Sequence, residues 1–235
     1  MLRRETIILI EDSEQERNAI IETLSYKDTP RFETLCDTTA LSQGDILCEP
    51  DQELEAVYFP VSGVISLGIS VDKQPPLELG MIGRDGMLGA TLSLGMLTAP
   101  MRAVVQVAGT ALVMPASQFQ QELRTKSRLL RAVHNYQLRL MKQIEHTAVC
   151  LNVHQIEARL ARWLLMTRDL GLIATLHLTQ KQLADALGVR RSGITHAVGS
   201  LHQQGLISPS RGRIRILDHA RLESAACDCY AALIN

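Results

Sequence analysis

Polar and basic side chains suited to hydrogen bonding with nucleic acid are concentrated in residues 178–217. An arginine can donate paired hydrogen bonds to a guanine edge or to a phosphate. Short hydroxyl and amide side chains can contact bases or the nucleic-acid backbone. Ten residues of this segment are candidate DNA-binding residues: Thr179, Gln180, Lys181, Arg190, Arg191, Ser192, Thr195, His196, Arg211 and Arg213.

Two short helices joined by a tight turn are predicted to position these side chains. Thr179 followed three residues later by Gln182 is a capping-box start, and Gly188 is suited to the sharp turn that ends the first helix. In the second helix Ile194 and Val198 recur at helical spacing, which leaves the polar residues of its first turns facing outward. This arrangement is typical of a helix-turn-helix that probes a major groove.

A basic β-hairpin is predicted directly after the second helix. Residues 206–207 and 213–216 flank Ser210, Arg211 and Gly212, and apolar and basic positions alternate along the second strand. Arginines on such a wing suit phosphate contact. An ordinary helical hairpin with solvated arginines is the alternative, but the cap, the turn, the outward polar residues and the basic wing all favour a winged helix-turn-helix.

Charge is divided unevenly along the chain. Residues 1–110 hold 8 Lys/Arg and 17 Asp/Glu, a net charge of −9, whereas residues 111–235 hold 16 and 8, a net charge of +8. Because neutralising phosphates supplies much of the affinity for DNA, positive charge belongs on the contacting half. The asymmetry therefore favours a DNA-binding protein, although the overall net charge is −1.

Length and composition place the chain among folded globular proteins. Its 235 residues, 46% of them hydrophobic, can bury one large core or two modest ones. No apolar run approaches the roughly twenty residues of a membrane span, and the N-terminus lacks a secretory pattern. We therefore expect no membrane partner and a cytoplasmic location. No catalytic constellation is recognisable, so we do not expect an enzyme.

The five cysteines do not form a recognisable framework. They are odd in number and include no C-x-x-C pair, so we expect reduced thiols, with no metal and no cofactor. Cys227 and Cys229 leave open a redox-sensitive pair or a metal contact. His134, His146 and His154 are interpreted as ordinary polar residues rather than haem ligands.

Short extended segments upstream predict a small antiparallel β-roll or barrel. Residues 57–71 are predicted to form a half-buried strand with Ile65, Leu67, Ile69 and Val71 on one side. Further strands are expected at residues 77–81, 103–107 and 111–114, separated by turn-forming residues. The predicted fold class is α+β: an N-terminal antiparallel β-roll, a long helix and a C-terminal winged helix-turn-helix.

One long helix is predicted over residues 117–151. Its stripe repeats at alternating spacings of three and four, as in a coiled coil. Such a stripe can pack against the helix's own domain. Seven successive positions also suit packing against an identical helix, so we predict a parallel homodimer. The predicted interface consists of Leu130, Val133, Gln137, Leu140, Ile144, Thr147 and Leu151. A following helix, capped by Asn152 with Gln155 and ending by Gly171, is expected to open the winged domain.

The order of roll, long helix and winged helix-turn-helix resembles the cyclic-AMP receptor protein/FNR family of bacterial transcription regulators. The resemblance is carried by VYFPVSGVISL (57–67), IGRDGMLG (82–89), RLARWLLM (159–166) and SRGRIRILD (210–218). It implies a cyclic-nucleotide-binding-like jelly roll over 30–116, a dimerisation helix over 117–151 and a DNA-binding domain with a C-terminal helix over 152–235. Residues 1–29 are left as an N-terminal extension, in which the receiver-like residues 7–12 are taken as coincidence.

The resemblance also assigns roles to individual residues. It places Arg191 on the arginine that contacts guanine, while Ser192 and His196 depart from the family's usual glutamate and arginine, so the preferred operator should differ. Candidate ligand-binding residues are Gly86, Met87, Leu88 and Arg102. In family members that bind cyclic AMP, a glutamate stands where this chain has methionine, and the phosphate-binding arginine is displaced here by one residue. A signal other than cyclic AMP is therefore expected; a surface arginine, or one paired with Glu78, is the alternative role of Arg102.

The resulting hypothesis is a homodimeric, sequence-specific DNA-binding transcription regulator with an unidentified small-molecule effector. Its expected partners are double-stranded DNA with a palindromic operator, a second copy of the chain and RNA polymerase. An iron–sulfur cofactor is not expected, because the N-terminal part offers only Cys36 and Cys48. The alternative function is a small-molecule-binding or thiol-redox sensor module with weak DNA binding.

Overall fold

The computed structural model describes residues 17–72, 75–173 and 175–234. Residues 7–12 lie outside this part of the chain. The described residues form an N-terminal β-roll and a C-terminal helical domain, connected by a long helix. Among the described helices, none combines the length and the apolar character needed to cross a membrane.

Two antiparallel sheets build the roll. One has the order β1-β7-β3 and the other the order β2-β6-β4-β5. Phe59 stacks edge-on with Phe32 and Phe119 in the core, with ring centroids 5.6 and 5.9 Å apart. The predicted antiparallel roll is confirmed. Its strands are β1 (Asp37–Leu41), β2 (Ile46–Cys48), β3 (Ala56–Pro60), β4 (Val64–Ile69), β5 (Leu77–Ile82), β6 (Arg102–Val107) and β7 (Gly109–Pro115).

Short helices complete the core of the roll. Helix α1 (Ala19–Glu22) buries Ile20 and Ile21 in the same cluster as the strands, and α2 (Asp28–Glu33) adds Phe32. A 3₁₀ helix over Ala90–Leu94 closes the roll beside the long helix. The segment just before residue 30 is therefore packed into the roll rather than projecting from it.

The single strand predicted over residues 57–71 is wrong in two respects. The chain turns at residues 61–63, so that this stretch supplies both β3 and β4. Ile65 and Leu67 are buried as predicted, but Ile69 and Val71 are 40% and 64% exposed. Ile69 is the last residue of β4 and Val71 lies beyond the strand, so both are at its exposed end.

The long helix predicted over 117–151 consists of two helices. Helix α3 spans Ala116–Thr125 and α4 spans Ser127–Val153. Lys126 separates them with a non-helical backbone (φ −118°, ψ 89°), and its ammonium group lies 2.5 Å from the carboxylate of Asp28. This ion pair joins the helix junction to α2.

The predicted dimer stripe begins by packing against the chain's own roll. Val133 is completely buried in the roll core, and Leu130 and Leu140 pack against that core. The amide nitrogen of Gln137 donates a hydrogen bond to the carbonyl oxygen of Ala90 at 3.1 Å. The prediction of a partner contact is therefore wrong for Val133, and the other three side chains also face the roll, because the roll presents an apolar surface along this side of α4.

The C-terminal half of the stripe is also used within the chain. Ile144 lines a cavity between α4 and the roll. Thr147 accepts a hydrogen bond from Arg162 at 2.9 Å, and Leu151 lines a small cavity together with Trp163. These three side chains are half-buried and contact the same chain, which is the alternative that the spacing left open.

The C-terminal domain has the predicted winged helix-turn-helix order. Its core contains Leu160, Leu164, Leu183, Ile194 and Leu201, all fully buried. A three-stranded sheet of order β8-β10-β9 carries the hairpin. The elements are α5 (Ile156–Gly171), β8 (Thr175–Leu176), α6 (Gln180–Ala186), α7 (Arg191–Gln203), β9 (Ile207–Ser210), β10 (Arg213–Ile216), α8 (His219–Ala225) and α9 (Ala231–Ile234).

The start of α5 differs from the prediction. Asn152 belongs to the last turn of α4, and Gln155 occupies the N-cap position without a side-chain cap hydrogen bond. Helix α5 ends at Gly171 as predicted, where Leu172 adopts a left-handed conformation. The two residues between α4 and α5, His154 and Gln155, have extended backbones and form the junction between the long helix and the DNA-binding domain.

Buried contacts join the roll to the C-terminal domain. The indole nitrogen of Trp163 donates to the carboxyl group of Glu78 at 2.6 Å. Val64 and Met81 of the roll belong to the same buried cluster as α5. The roll is therefore in direct contact with α5, the first helix of the DNA-binding domain.

Candidate nucleic-acid interface

The first helix of the pair begins with the predicted capping box. The hydroxyl oxygen of Thr179 accepts a hydrogen bond from the backbone N–H of Gln182 at 3.2 Å, and the Gln182 side chain accepts one from the backbone N–H of Thr179 at 2.8 Å. Two backbone donors that the helix cannot satisfy are thereby paired. The cap fixes the start of α6 and with it the positions of Gln180 and Lys181, the first two residues of the helix.

The turn between the helices depends on Gly188, whose φ of +61° lies in the left-handed region. The next residue, Val189, donates its backbone N–H to the carbonyl of Ala184 at 3.0 Å. Arg190 is extended and forms the N-cap of α7. The turn therefore delivers Arg190 and Arg191 together to the exposed start of the second helix.

Helix α7 separates a buried face from a polar one. Ile194, Ala197, Val198 and Leu201 are buried against the domain core. On the opposite side four candidate residues are exposed: Arg191, Ser192, Thr195 and His196.

One hydrogen bond joins the polar starts of the two helices. The hydroxyl group of Thr195 donates to the side-chain oxygen of Gln180 at 2.9 Å. The structure thus brings the candidate residues of α6 and α7 to one surface. Of the ten candidates, nine are exposed and Gln180 is half-buried.

The hairpin after α7 forms a basic wing. Strands β9 and β10 pair from Arg213 with Ser210 to Ile216 with Ile207, around a turn at Arg211 and Gly212. Ile214 is buried while the flanking Arg213 and Arg215 are exposed.

One part of this wing, strand β8, was not predicted from the sequence. Strand β8 pairs Leu176 with Ile214 and so braces β10. Arg215 presents a guanidinium on the same side of the strand as Arg213, since alternate residues of a strand share a face. The alternation of apolar and basic residues in the sequence RIRI predicted an arginine at this position of the wing.

A separate cavity of about 520 Å³ lies between the roll and α4. Met87, Leu88 and Met101 line it together with Gln137 and other α4 residues, and most lining side chains are apolar. Its polar lining side chains are Thr91, Gln137 and Glu145.

The four candidate ligand residues do not share this cavity. Met87 and Leu88 line it, whereas the backbone of Gly86 lies against the buried ring of Tyr136. Arg102 instead borders a second pocket on the outer side of β6 and forms an ion pair with Glu49 at 3.2 Å. The one-residue displacement turns Arg102 to the opposite strand face from Met101. Glu78 borders the same pocket, but the ion pair of Arg102 is with Glu49.

A β-roll joined by a long helix to a winged helix-turn-helix defines a class of DNA-binding regulator with an attached sensory domain. The profile described as a cyclic nucleotide-binding domain matches residues 38–126, and that described as a Crp-like helix-turn-helix domain matches residues 158–225. The chain belongs to the cyclic-AMP receptor protein/FNR family of transcription regulators, and is classed with these regulators rather than with enzymes.

Solved structures show the same fold at low sequence identity. FixK2 from Bradyrhizobium japonicum is 16% identical, with 82% of this chain and 98% of that chain covered and a TM-score of 0.69. The c-di-GMP responsive global regulator CLP from Xanthomonas campestris is 16% identical, with 83% of this chain and 100% of that chain covered and a TM-score of 0.66. TTHA1359, a CRP/FNR family transcriptional regulator from Thermus thermophilus, is 21% identical, with 81% of this chain and 98% of that chain covered and a TM-score of 0.65. Among curated proteins, none matches the chain significantly.

Proposed function

We propose that this protein is a homodimeric, sequence-specific regulator of transcription. Helix α7 reads the bases of double-stranded DNA, and the wing contacts the phosphates of the DNA backbone. The exposed polar row at the start of α7 carries this proposal. Arg191 supplies a fork of donors suited to guanine, and the wing arginines supply positive charge for phosphates. The net charge of +8 on residues 111–235 supports the same assignment.

The proposed dimer face is the outer side of α4. Leu138, Met141, Val149 and Val153 are 61%, 52%, 53% and 68% exposed, an unusual amount of apolar surface for one helix. Successive members are three, eight and four residues apart, so at 3.6 residues per turn they share one side of the helix, an arc of about 120°. This stripe is adjacent to the one predicted from sequence.

Pairing these stripes in parallel would relate two recognition helices by a two-fold axis. The matching operator is a palindrome with half-sites about one helical turn, roughly 34 Å, apart. The division into a roll over 30–116, a dimerisation segment over 117–151 and a DNA-binding domain over 152–235 remains our proposal for the domains, as does a cytoplasmic location. RNA polymerase is the proposed further partner.

The proposed effector site is the cavity between the roll and α4. Its apolar lining suits an uncharged, largely apolar small molecule. Glu145 is the charged side chain among the lining residues, and its carboxylate would repel a phosphate. Arg102, the expected phosphate ligand, lies in another pocket. These contacts argue against cyclic AMP and against a dianionic dinucleotide such as the one named for CLP.

The test separates base reading from backbone contact. Replacing Arg191 by alanine should cost about 1–3 kcal/mol on the preferred sequence and relax the preference at one base pair. Replacing Arg213 should weaken all sequences alike and make the dependence of log K on log salt shallower by about one. Arg124→Ala, an exposed arginine of α3, is the matched control and should change neither quantity. Identical effects of the Arg191 and Arg213 changes on every sequence would overturn the assigned roles.

A further inference from the structure

Four potential metal ligands converge where α4 meets the C-terminal segment. Cys150 and His154 lie at the end of α4, and Cys227 and Cys229 follow α8. The thiol sulfurs of Cys150 and Cys227 are 3.4 Å apart, and that of Cys229 is 3.8 Å from Nδ1 of His154. One ligand atom from each of the four residues lies within 4.8 Å of all the others.

Local structure accounts for this convergence. Cys150 and His154 are four residues apart, so the final turn of α4 places both side chains on one face. Beyond α8, a turn in which the backbone N–H of Tyr230 donates to the carbonyl of Cys227 at 2.9 Å holds the other two thiols. The hydroxyl group of Tyr230 donates to Asp169 of α5 at 2.5 Å and anchors that turn.

The distances fit a single tetrahedral ion. Zinc binds sulfur at about 2.3 Å and imidazole nitrogen at about 2.0–2.1 Å, which places tetrahedral ligands roughly 3.5–3.8 Å apart. The two distances above fall close to this range. An iron–sulfur cluster would separate its ligands further, because two or more irons and bridging sulfides lie between them.

The burial of the ligands fits a closed site. Cys150, Cys227 and Cys229 are 1%, 7% and 4% exposed and form a buried cluster of their own. Three thiolates and one imidazole complete a tetrahedron and leave no position for substrate, as in structural zinc sites. Soft thiolate ligands favour zinc over magnesium or calcium.

Two buried arginines supply an independent indication of missing negative charge. Arg159 and Arg162 are each 7% exposed and lie electrostatically close to the cysteines. Their hydrogen bonds go to the carbonyl of Leu187 and to Thr147, and within the described residues neither forms a salt bridge. A zinc ion with three thiolates and a neutral histidine carries a net charge of −1, which would offset one of these two positive charges. The carboxyl group of Glu78 is the other acidic group close to Arg162.

We propose that Cys150, His154, Cys227 and Cys229 form a mononuclear zinc site that fastens the C-terminal segment of the DNA-binding domain to the end of α4. The ion lies at the junction formed by His154 and Gln155, so it restricts movement of α5 relative to α4. This site does not depend on the proposed function, since metal content is measured without DNA. It replaces our expectation of reduced, unliganded thiols.

The test is metal analysis of the full-length protein after incubation with zinc and removal of the excess. We expect about one zinc per chain. Cys227→Ser and Cys229→Ser should each lower this roughly tenfold, while Cys36→Ser and Cys48→Ser, the same change at cysteines outside the site, should leave it unchanged. His154→Cys should retain the metal and His154→Ala should lose it.

Two further measurements keep the proposal falsifiable if a serine variant fails to fold. Wild-type protein loaded with cobalt should show the intense absorption of a tetrahedral thiolate site. Removing the zinc should raise amide exchange in residues 226–230 without changing the roll strands. Absence of bound zinc, a Cys150–Cys227 disulfide in freshly purified protein, or iron with labile sulfide would each overturn the zinc site. Unchanged exchange would overturn its role as a fastener.

Discussion

Replacing Glu78 by glutamine should remove a titration near neutral pH from the folded protein. Glu78 is 7% exposed on β5, and its carboxyl group accepts the hydrogen bond from Trp163 that joins the roll to α5. Burial raises the pKa of Glu78 from 4.5 to about 7, and hydrogen bonds from Ser66 and Trp163 and the charge of Arg162 oppose part of that rise. The folded protein therefore holds the proton of Glu78 over a pH range in which the unfolded chain has released it.

The size and direction of the effect follow from this pKa. At about 1.36 kcal/mol per pKa unit, the rise from 4.5 to about 7 corresponds to about 3 kcal/mol. This contribution to the free energy of unfolding is fully present below pH 4.5 and is lost as the pH rises through about 7. Glutamine stays neutral and keeps an oxygen for Trp163, so the variant should be less sensitive to pH between these values.

Urea unfolding of both proteins at one protein concentration measures the difference in stability. Glu78→Gln should match the wild type near pH 4.5 and exceed its free energy of unfolding by about 3 kcal/mol at pH 8. Because Trp163 is the only tryptophan, its fluorescence should also titrate near pH 7 in the wild type alone. Glu22→Gln, an exposed glutamate, is the control. Parallel stability profiles for wild type and Glu78→Gln would refute the assignment of a buried, neutral Glu78.

Three further outcomes are expected. Met141→Glu should weaken the dimer by more than about 3 kcal/mol, roughly a hundredfold in Kd, because each interface would bury two carboxylates. Light scattering should show a monomer, whereas Arg124→Glu, at an exposed arginine of α3 outside the stripe, should remain dimeric. Gly86→Ala should lower the free energy of unfolding by about 1–3 kcal/mol, since its Cβ would lie 2.2 Å from the buried Tyr136 ring. Gly199→Ala, with nothing within 4 Å, should instead raise it by about 0.5–1 kcal/mol, and equal urea midpoints for these two variants would contradict the packing at residue 86. Cyclic AMP should leave the Tm unchanged, and a concentration-dependent rise would contradict the assignment of an apolar effector cavity.

The helix-turn-helix was predictable because its determinants are local. The capping box at Thr179, the left-handed turn at Gly188 and the helical spacing of Ile194 and Val198 all act within about twenty residues. Each specifies backbone geometry irrespective of the rest of the chain. The outward position of Arg191 follows from the same pattern.

The surfaces that cover an element were not predictable in the same way. A spacing of three and four identifies an apolar face of α4, but two such stripes run side by side, one through Leu140 and one through Met141. Only the folded roll determines that Leu140 packs inward and that Met141 remains exposed. The exposure of Ile69 was hidden for a similar reason, since the alternating sequence does not show that β4 ends at this residue.

The cysteine cluster is the clearest case of a site that sequence spacing conceals. Cys150 and Cys227 are 77 residues apart, and the sequence left open a metal contact for Cys227 and Cys229 alone, without Cys150 or His154. Their proximity results from α8 packing on α5, which returns the C-terminal segment to the end of α4. Contacts of this kind depend on the tertiary arrangement of whole helices.

Selection of bound sequences from random duplex DNA shows whether the protein reads DNA sequence as a two-fold symmetric dimer. The full-length protein should be used at a stated, near-physiological salt concentration, because non-specific binding depends strongly on salt. We expect enrichment of a palindrome with half-sites about 34 Å apart, centre to centre. Recovery of DNA without any enriched sequence, or of a motif lacking two-fold symmetry, would contradict it.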